Sequence, residues 1–80
     1  MDDDQMFGTV LQIVASSFNV PISAVNSESS PQNVLGWDSL KHIDLVMRIE
    51  REFGIQFRPA EIPLLNSVQN IYELLKKTSE

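Results

Sequence analysis

Residues 36–54 read GWDSLKHIDLVMRIEREFG and contain the strongest helical signal in the chain. Between Asp38 and Phe53 the apolar residues recur at spacings of three and four, which is the repeat of an amphipathic α-helix. Gly54 follows directly, and glycine commonly ends a helix in a left-handed conformation. These features predict a helix over residues 38–53.

This predicted helix has apolar residues on two sides. One side, the core face, forms a stripe about 100° wide, as expected of a helix packed on a core. It consists of Leu45, Val46, Ile49 and Phe53. The second side, the outer face, consists of Leu40, Ile43 and Met47. A small domain should not need to bury both sides.

Two interpretations of the outer face stay open. Leu40 and Ile43 could cover loop residues such as Leu35 or Trp37, because single exposed apolar residues need no functional explanation. The outer face could instead be a docking surface, because an adaptable methionine and branched side chains ringed by charges suit a protein interface. The candidate docking residues are Leu40, Ile43, Asp44, Met47, Arg48 and Arg51.

Outside residues 38–53, the sequence predicts two further long helices, one short helical turn and one long loop. Helical spacing predicts a first helix over residues 4–18 and a last helix over residues 67–77, for which Ser67 is a good N-cap. Two prolines restrict residues 59–64 to a short helical turn. The residues between 19 and 37 are rich in Ser, Asn and Pro and predict a long loop. Its apolar residues are expected to pack on the core: Val20, Ile22, Val25, Val34, Leu35 and Trp37.

We therefore predict one all-α domain over residues 1–80, a small antiparallel four-helix bundle with three main helices and one short one. The initial methionine and the short ends fit a complete small protein. The start of the chain is acidic and no apolar run approaches about 20 residues, so we expect a cytoplasmic protein without a membrane span.

The composition excludes several kinds of site. The chain has no cysteine, so it has no thiolate nucleophile, thiolate metal site or disulfide. Its one histidine has no second histidine to join it, and we assign no metal. The formal net charge of −5 argues against nucleic acid, because binding to phosphates needs clustered basic residues.

The stretch Gly36-Trp37-Asp38-Ser39-Leu40, followed by an amphipathic helix that ends in Glu52-Phe53-Gly54-Ile55, resembles the phosphopantetheine attachment site of acyl and peptidyl carrier proteins. The resemblance extends over nearly the whole chain, since the order of elements also matches. Asp-Ser-Leu alone would be a weak signal, because short tripeptides recur by chance.

The resemblance implies a role for each residue of the motif. Ser39 is expected to form a phosphodiester with phosphopantetheine, and Asp38 and Leu40 are expected to be read by the phosphopantetheinyl transferase. The carrier is expected to be a monomer without catalytic activity that receives an acyl or aminoacyl group from a loading enzyme and delivers it to a downstream synthase or transferase. Longer acyl chains could lie between helices lined by Val46, Ile49, Phe57, Ile62, Ile71 and Leu75.

Three other interpretations compete with attachment. Asp38 or Ser39 could simply cap the helix, since both are common cap residues. Ser39, His42 and Asp38 could form a hydrolytic triad, although a hydrolase also needs an oriented base, an oxyanion hole and a cleft. His42 projects toward the core side and is expected to pack or form hydrogen bonds. The chain could also be a helical interaction module that never receives the arm.

The charge of residues 38–53 departs from the pattern of carriers that serve dissociated fatty-acid synthases, in which this helix is strongly acidic. Here four acidic residues stand against three basic ones: Asp38, Asp44, Glu50 and Glu52 against Lys41, Arg48 and Arg51. If charge complementarity selects partners, this helix suits enzymes with less basic docking patches. We therefore expect a specialised biosynthetic pathway rather than housekeeping fatty-acid synthesis, with fatty-acid, polyketide and nonribosomal peptide biosynthesis all open as its class.

Overall fold

The computed structural model describes residues 2–79, so Met1 and Glu80 of the predicted domain lie outside the described residues. Three long α-helices form the domain: α1 Asp3–Phe18, α2 Ser39–Phe53 and α3 Val68–Ser79. Two short 3₁₀ helices connect them: Ile22–Ala24 and Pro59–Leu64. Residues 2–79 contain no strand, and the predicted all-α bundle of three main helices and a short one is confirmed.

Local capping explains where the long helices begin and end. The Asp2 side chain accepts a hydrogen bond from the backbone N–H of Gln5, at 2.8 Å, so α1 begins one residue earlier than predicted. Asn19, with φ of 56°, ends α1 in the left-handed conformation, and Gly54, with φ of 65°, ends α2 in the same way. The Ser67 hydroxyl accepts from the N–H of Asn70 at 3.1 Å and caps the start of α3.

Helix α1 runs antiparallel to both α2 and α3 around one apolar core. Lys76, in the last turn of α3, lies 3.7 Å from the carboxylate of Asp3, in the first turn of α1. Phe18 at the end of α1 stacks on Trp37 just before α2, with ring centroids 5.2 Å apart. Each pair brings the end of one helix to the beginning of another. The core includes Val10 and Val14 of α1, Leu45, Val46 and Ile49 of α2, and Val68, Ile71 and Leu75 of α3.

The long loop packs on this core through some of its apolar residues and not others. Val25 and Trp37 are buried, and Val20 and Val34 are partly buried. The expectation was wrong for Leu35, which is 96% exposed, and for Ile22, which is also exposed and lies in a 3₁₀ turn that sequence reasoning missed. Both side chains lie in backbone turns that direct them into solvent.

Backbone hydrogen bonds tie the middle of the loop to the start of α3. The carbonyls of Ser27 and Ser29 accept from the N–H groups of Gln69 and Val68, both at 3.0 Å. Those N–H groups belong to the first turn of a helix, where no partner exists within the helix itself. The loop therefore completes the hydrogen bonding of α3 and is held in place at the same time. No helix within residues 2–79 is long and apolar enough to cross a membrane.

Candidate functional site

At the start of α2, Asp38 caps the helix and Ser39 is exposed. Asp38 has an extended backbone and is the N-cap, because its carboxylate accepts from the N–H of Lys41 at 2.9 Å. The predicted helix therefore begins one residue later, at Ser39, which is exposed. Of the two residues that could have capped the helix, Asp38 does so, and the Ser39 hydroxyl has no capping role.

A tight turn precedes this cap. The N–H of Trp37 bonds to the carbonyl of Val34 at 3.2 Å, which places Leu35 and Gly36 at the two corner positions. Gly36 has φ of 90°, a conformation that favours glycine in the second corner of a type II turn. The turn projects the Leu35 side chain into solvent and directs Trp37 into the core, so Ser39 begins α2 at the surface.

His42 connects three parts of the molecule near Ser39. Its Nδ1 accepts from the indole N–H of the buried Trp37 at 3.0 Å, and its Nε2 lies 2.9 Å from the carbonyl of Ile62. Both bonds form together only when Nδ1 is unprotonated and Nε2 carries the hydrogen, so the geometry selects one neutral tautomer. The expectation that His42 forms hydrogen bonds is confirmed. The sequence did not reveal its partners, since Ile62 lies 20 residues away.

The same hydrogen bonds argue against a hydrolytic triad of Ser39, His42 and Asp38. A triad needs one imidazole nitrogen on the serine hydroxyl and the other on a carboxylate. Here both nitrogens of His42 are occupied by Trp37 and Ile62. Asp38 is engaged with the backbone of Lys41 instead. Within residues 2–79, this arrangement does not give Ser39 a general base.

A mostly apolar cleft of about 480 Å³ opens beside Ser39. We call it the Ser39 cleft. The loop, the start of α2, the second 3₁₀ helix and the segment before α3 each contribute to it. It is lined by Pro31, Trp37, Asp38, Ser39, His42, Ile43, Ile62, Pro63 and Asn66. Ser39 itself is part of the lining of this cleft.

The residues predicted to line an acyl pocket lie in two settings. Five are buried and pack in the common core: Val46, Ile49, Phe57, Ile71 and Leu75. The sixth, Ile62, is partly buried and also lines the Ser39 cleft, so it lies between the surface and the core.

The outer face of α2 lies open to solvent. Leu40 is 81% exposed, Met47 52% and Ile43 46%. The interpretation that Leu40 covers Leu35 does not hold, because both side chains are almost fully exposed. Ile43 shares the Ser39 cleft with Trp37, and Met47 lines a separate groove toward α1. The charged neighbours of this face are also exposed: Asp44, Arg48 and Arg51.

Glu50 has a structural role that sequence reasoning missed. Its Oε2 accepts from the backbone N–H of Phe57 at 2.8 Å, and Phe57 is buried. This bond ties the segment after Gly54 back onto α2. The only sequence signal was an acidic residue one position after the buried Ile49, which is too common a pattern to identify such a bond.

Residues 8–75 match the sequence profile of the family described as "Phosphopantetheine attachment site". The chain belongs to this family of acyl carrier proteins. The match spans most of α1, the long loop, α2, the second 3₁₀ helix and most of α3, so it includes the elements around Ser39. The resemblance seen in the sequence is confirmed, and the cofactor of the family is covalently attached phosphopantetheine.

Individual relatives support the same assignment. The carrier is 31% identical over 77 residues to an acyl carrier protein of Petrotoga mobilis, covering 96% of this chain and 91% of the relative. It is 32% identical over 74 residues to an acyl carrier protein of Thermotoga maritima, covering 92% and 91%. It is also 30% identical over 64 residues to "Polyketide-8 synthase acyl carrier protein 2" of Streptomyces avermitilis, covering 80% and 74%.

Proposed function

We propose that Ser39 is the attachment residue and that the protein carries acyl or aminoacyl thioesters between the enzymes of a biosynthetic pathway. The observation that carries this proposal is the position of the Ser39 hydroxyl, which is exposed at the first residue of α2 while Asp38 performs the capping. A transferase can reach such a hydroxyl without unfolding the helix.

The surroundings of Ser39 fit a phosphodiester. The first N–H groups of a helix have no partner within the helix, and the helix dipole is positive at this end. Both features favour a phosphate at Ser39, because the N–H groups can point toward its charge. The Asp38 carboxylate accepts from the N–H of Lys41. The backbone N–H groups nearest Ser39 therefore remain available to the phosphate.

The bound phosphopantetheine supplies a terminal thiol, which this cysteine-free chain lacks, and cargo is attached to it as a thioester. The protein's own residues hold and release the load. We propose that the Ser39 cleft, with Trp37, Ile43 and Ile62, shelters the apolar part of the arm or a short cargo. A longer chain would have to displace Ile62 to reach Ile49 and the other predicted pocket residues.

The partners in this proposal are enzymes that meet the same end of α2. Asp38 and Leu40 would be read by the phosphopantetheinyl transferase, and the outer face would contact the loading enzyme and the downstream synthase. The carrier itself would be a monomer and perform no bond chemistry, and its place would be the cytoplasm. Both ring nitrogens of His42 are already bonded, which supports a carrier without a catalytic base.

We propose a specialised pathway rather than housekeeping fatty-acid synthesis. From Ser39 to Phe53, α2 contains three basic and three acidic residues, so it lacks the strong negative charge that would attract basic docking patches. The similarity to a polyketide synthase carrier is compatible with this, although fatty-acid and polyketide carriers share the fold. Loading by fatty-acid synthase enzymes at the rate of a genuine fatty-acid carrier would contradict the specialised role.

Attachment is tested by incubating the purified protein with coenzyme A and a broad-specificity phosphopantetheinyl transferase, followed by intact-mass measurement. We expect a gain of one phosphopantetheine group, and no gain for Ser39→Ala. Absence of any gain in the wild type, with a known carrier loaded in parallel, would favour the alternative function of a helical interaction module.

A further inference from the structure

His42 is the single histidine of the chain, and histidine is the side chain whose charge ordinarily changes between about pH 5 and about pH 8. It is partly buried, lines the Ser39 cleft and has both ring nitrogens bonded. The bond from the indole N–H of Trp37 needs an unprotonated Nδ1. A second proton on the ring would set one N–H against another, and this bond would be lost.

The two bonds of the ring respond differently to a second proton. Nε2 carries its hydrogen in both the neutral and the protonated ring, so the contact of 2.9 Å with the carbonyl of Ile62 is kept. Nδ1 changes from an acceptor to a donor, so the contact of 3.0 Å with the indole N–H becomes repulsive. Protonation therefore releases Trp37 and leaves the second 3₁₀ helix attached to α2.

A protonated His42 gains no compensating contact with the aromatic face of Trp37. The two ring planes are inclined by 24° and their centroids are 6.2 Å apart. The indole N–H lies in the plane of its ring, so the hydrogen bond places His42 beside the edge of the indole and not over its face. The edge of an aromatic ring is electropositive, whereas cations are attracted to its face. Phe18 also stacks on Trp37, but that contact does not depend on pH.

The charged groups around His42 do not replace the lost bond. Asp38, four residues earlier, also lines the cleft, and its carboxylate caps α2. It attracts a protonated ring, whereas the adjacent Lys41 repels one. In the second 3₁₀ helix, the Glu61 carboxylate accepts from the N–H of Arg58 at 2.8 Å. The residues that the loop, this 3₁₀ helix and the segment before α3 contribute to the cleft are uncharged: Pro31, Trp37, Ile62, Pro63 and Asn66.

We propose that His42 is a proton-sensitive switch of the Ser39 cleft. The neutral ring ties Trp37 to α2 and closes one side of the cleft, and the protonated ring releases Trp37 and widens the cleft beside Ser39. The consequence for function rests on the proposed carrier role. An arm attached at Ser39 is sheltered against Trp37 when His42 is neutral and is freed when His42 is protonated.

The test is a pH titration of ¹⁵N-labelled Ser39→Ala protein by NMR, from about pH 8 to about pH 5. The ring resonances of His42 report its protonation. Hydrogen exchange of the Trp37 indole N–H, expressed as a protection factor at each pH, reports its release. We expect this protection factor to fall about fivefold as His42 becomes protonated, which is the effect of losing one ordinary hydrogen bond. Fluorescence of Trp37 should change over the same pH range.

His42→Gln is the matched control, because it keeps a polar side chain of similar length that does not titrate. Its Trp37 protection factor should be the same at both ends of the pH range. Asp38→Asn removes the carboxylate that lines the cleft and retains an oxygen for the cap, so it should keep the response to pH. If circular dichroism shows that His42→Gln does not fold, His42→Asn takes its place.

The proposal is overturned if His42 stays neutral down to about pH 5, or if it becomes protonated while the protection factor of Trp37 remains constant. It is also overturned if the response persists in His42→Gln. Loss of helical circular dichroism over the same pH range would mean that the whole domain unfolds, and the switch would be rejected.

Failure of this proposal and failure of the carrier function are distinguishable. The titration uses protein without a hydroxyl at residue 39, so its result does not depend on attachment. A wild type that gains phosphopantetheine, together with a Trp37 that does not respond to pH, would keep the carrier function and reject the switch.

Discussion

The two faces of α2 contain similar residues and have opposite surroundings. On the core face, Leu45 and Ile49 are fully buried, whereas Leu40 on the outer face is 81% exposed. Both faces consist mainly of aliphatic side chains on one helix. Residue type therefore does not determine which face is buried. The difference arises because α1, α3 and the loop cover one side of α2 and leave the other side beside Ser39 in solvent.

The sharpest way to test this difference is to truncate one residue on each face. Ile49→Ala removes a fully buried side chain and should lower the free energy of unfolding by about 2–5 kcal/mol, because it leaves a cavity in the core. Met47→Ala, on the outer face, should change it by less than about 0.5 kcal/mol. Urea unfolding followed by circular dichroism measures both. Equal losses for the two variants would contradict the assignment of the faces.

His42 lies on the core side of α2 and lines the Ser39 cleft, and its replacement tests whether the cleft depends on hydrogen bonding. His42→Phe keeps a flat ring but leaves the buried indole N–H of Trp37 without an acceptor, which should cost about 1–3 kcal/mol of stability. Fluorescence of Trp37, the single tryptophan, should change in the folded variant.

Trp37→Phe provides the matched change on the other side of the same hydrogen bond. If this hydrogen bond stabilises the protein, the double variant His42→Phe/Trp37→Phe should lose less free energy of unfolding than the two single variants added together. Each single change already removes the same bond. Strict additivity would show that the bond contributes nothing.

Two substitutions at Asp38 distinguish its role as the cap of α2 from its predicted role in recognition by the transferase. Asp38→Ala should destabilise the protein by about 1 kcal/mol because the N–H of Lys41 loses its acceptor. Asp38→Asn retains a side-chain oxygen for the cap and should stay within a few tenths of a kcal/mol of the wild type. If the transferase reads the carboxylate itself, Asp38→Asn should still be loaded more slowly, as measured by the rate of mass gain. An unchanged rate would remove Asp38 from the predicted recognition residues.

The smallest expected effect concerns the exposed leucines on either side of Ser39. Leu35→Ala and Leu40→Ala should each change the free energy of unfolding by less than about 0.5 kcal/mol, because both side chains are already in solvent. A larger loss for Leu40→Ala would mean that the outer face is covered within the folded chain, and the docking interpretation would fail.

Much of this fold could be predicted because helical signals are local. The repeat of apolar residues, the caps at Asp38 and Ser67 and the stop at Gly54 all act within a few positions of one another. The position of Ser39 at the start of α2 follows from the same signals. Its chemistry came from the resemblance, since a serine beside a cap has no distinctive pattern of its own.

What could not be predicted depends on contacts between distant residues. The bond from His42 to the Ile62 carbonyl, and the bonds from Ser27 and Ser29 to α3, join segments that no spacing rule connects. Leu35 was expected to be buried because leucine usually is, but the turn at Gly36 decides its direction. Such errors occur where one backbone turn overrides the preference of a side chain.

The central claim is that Ser39, alone among the serines of this chain, receives phosphopantetheine. Ser67 is the fitting comparison, because it too stands at the start of a long helix but caps α3 with its hydroxyl. After incubation with coenzyme A and transferase, tandem mass spectrometry of proteolytic fragments should locate the added group on Ser39. Ser67→Ala should be loaded and Ser39→Ala should not. Modification of another residue, or full loading of Ser39→Ala, would contradict the claim.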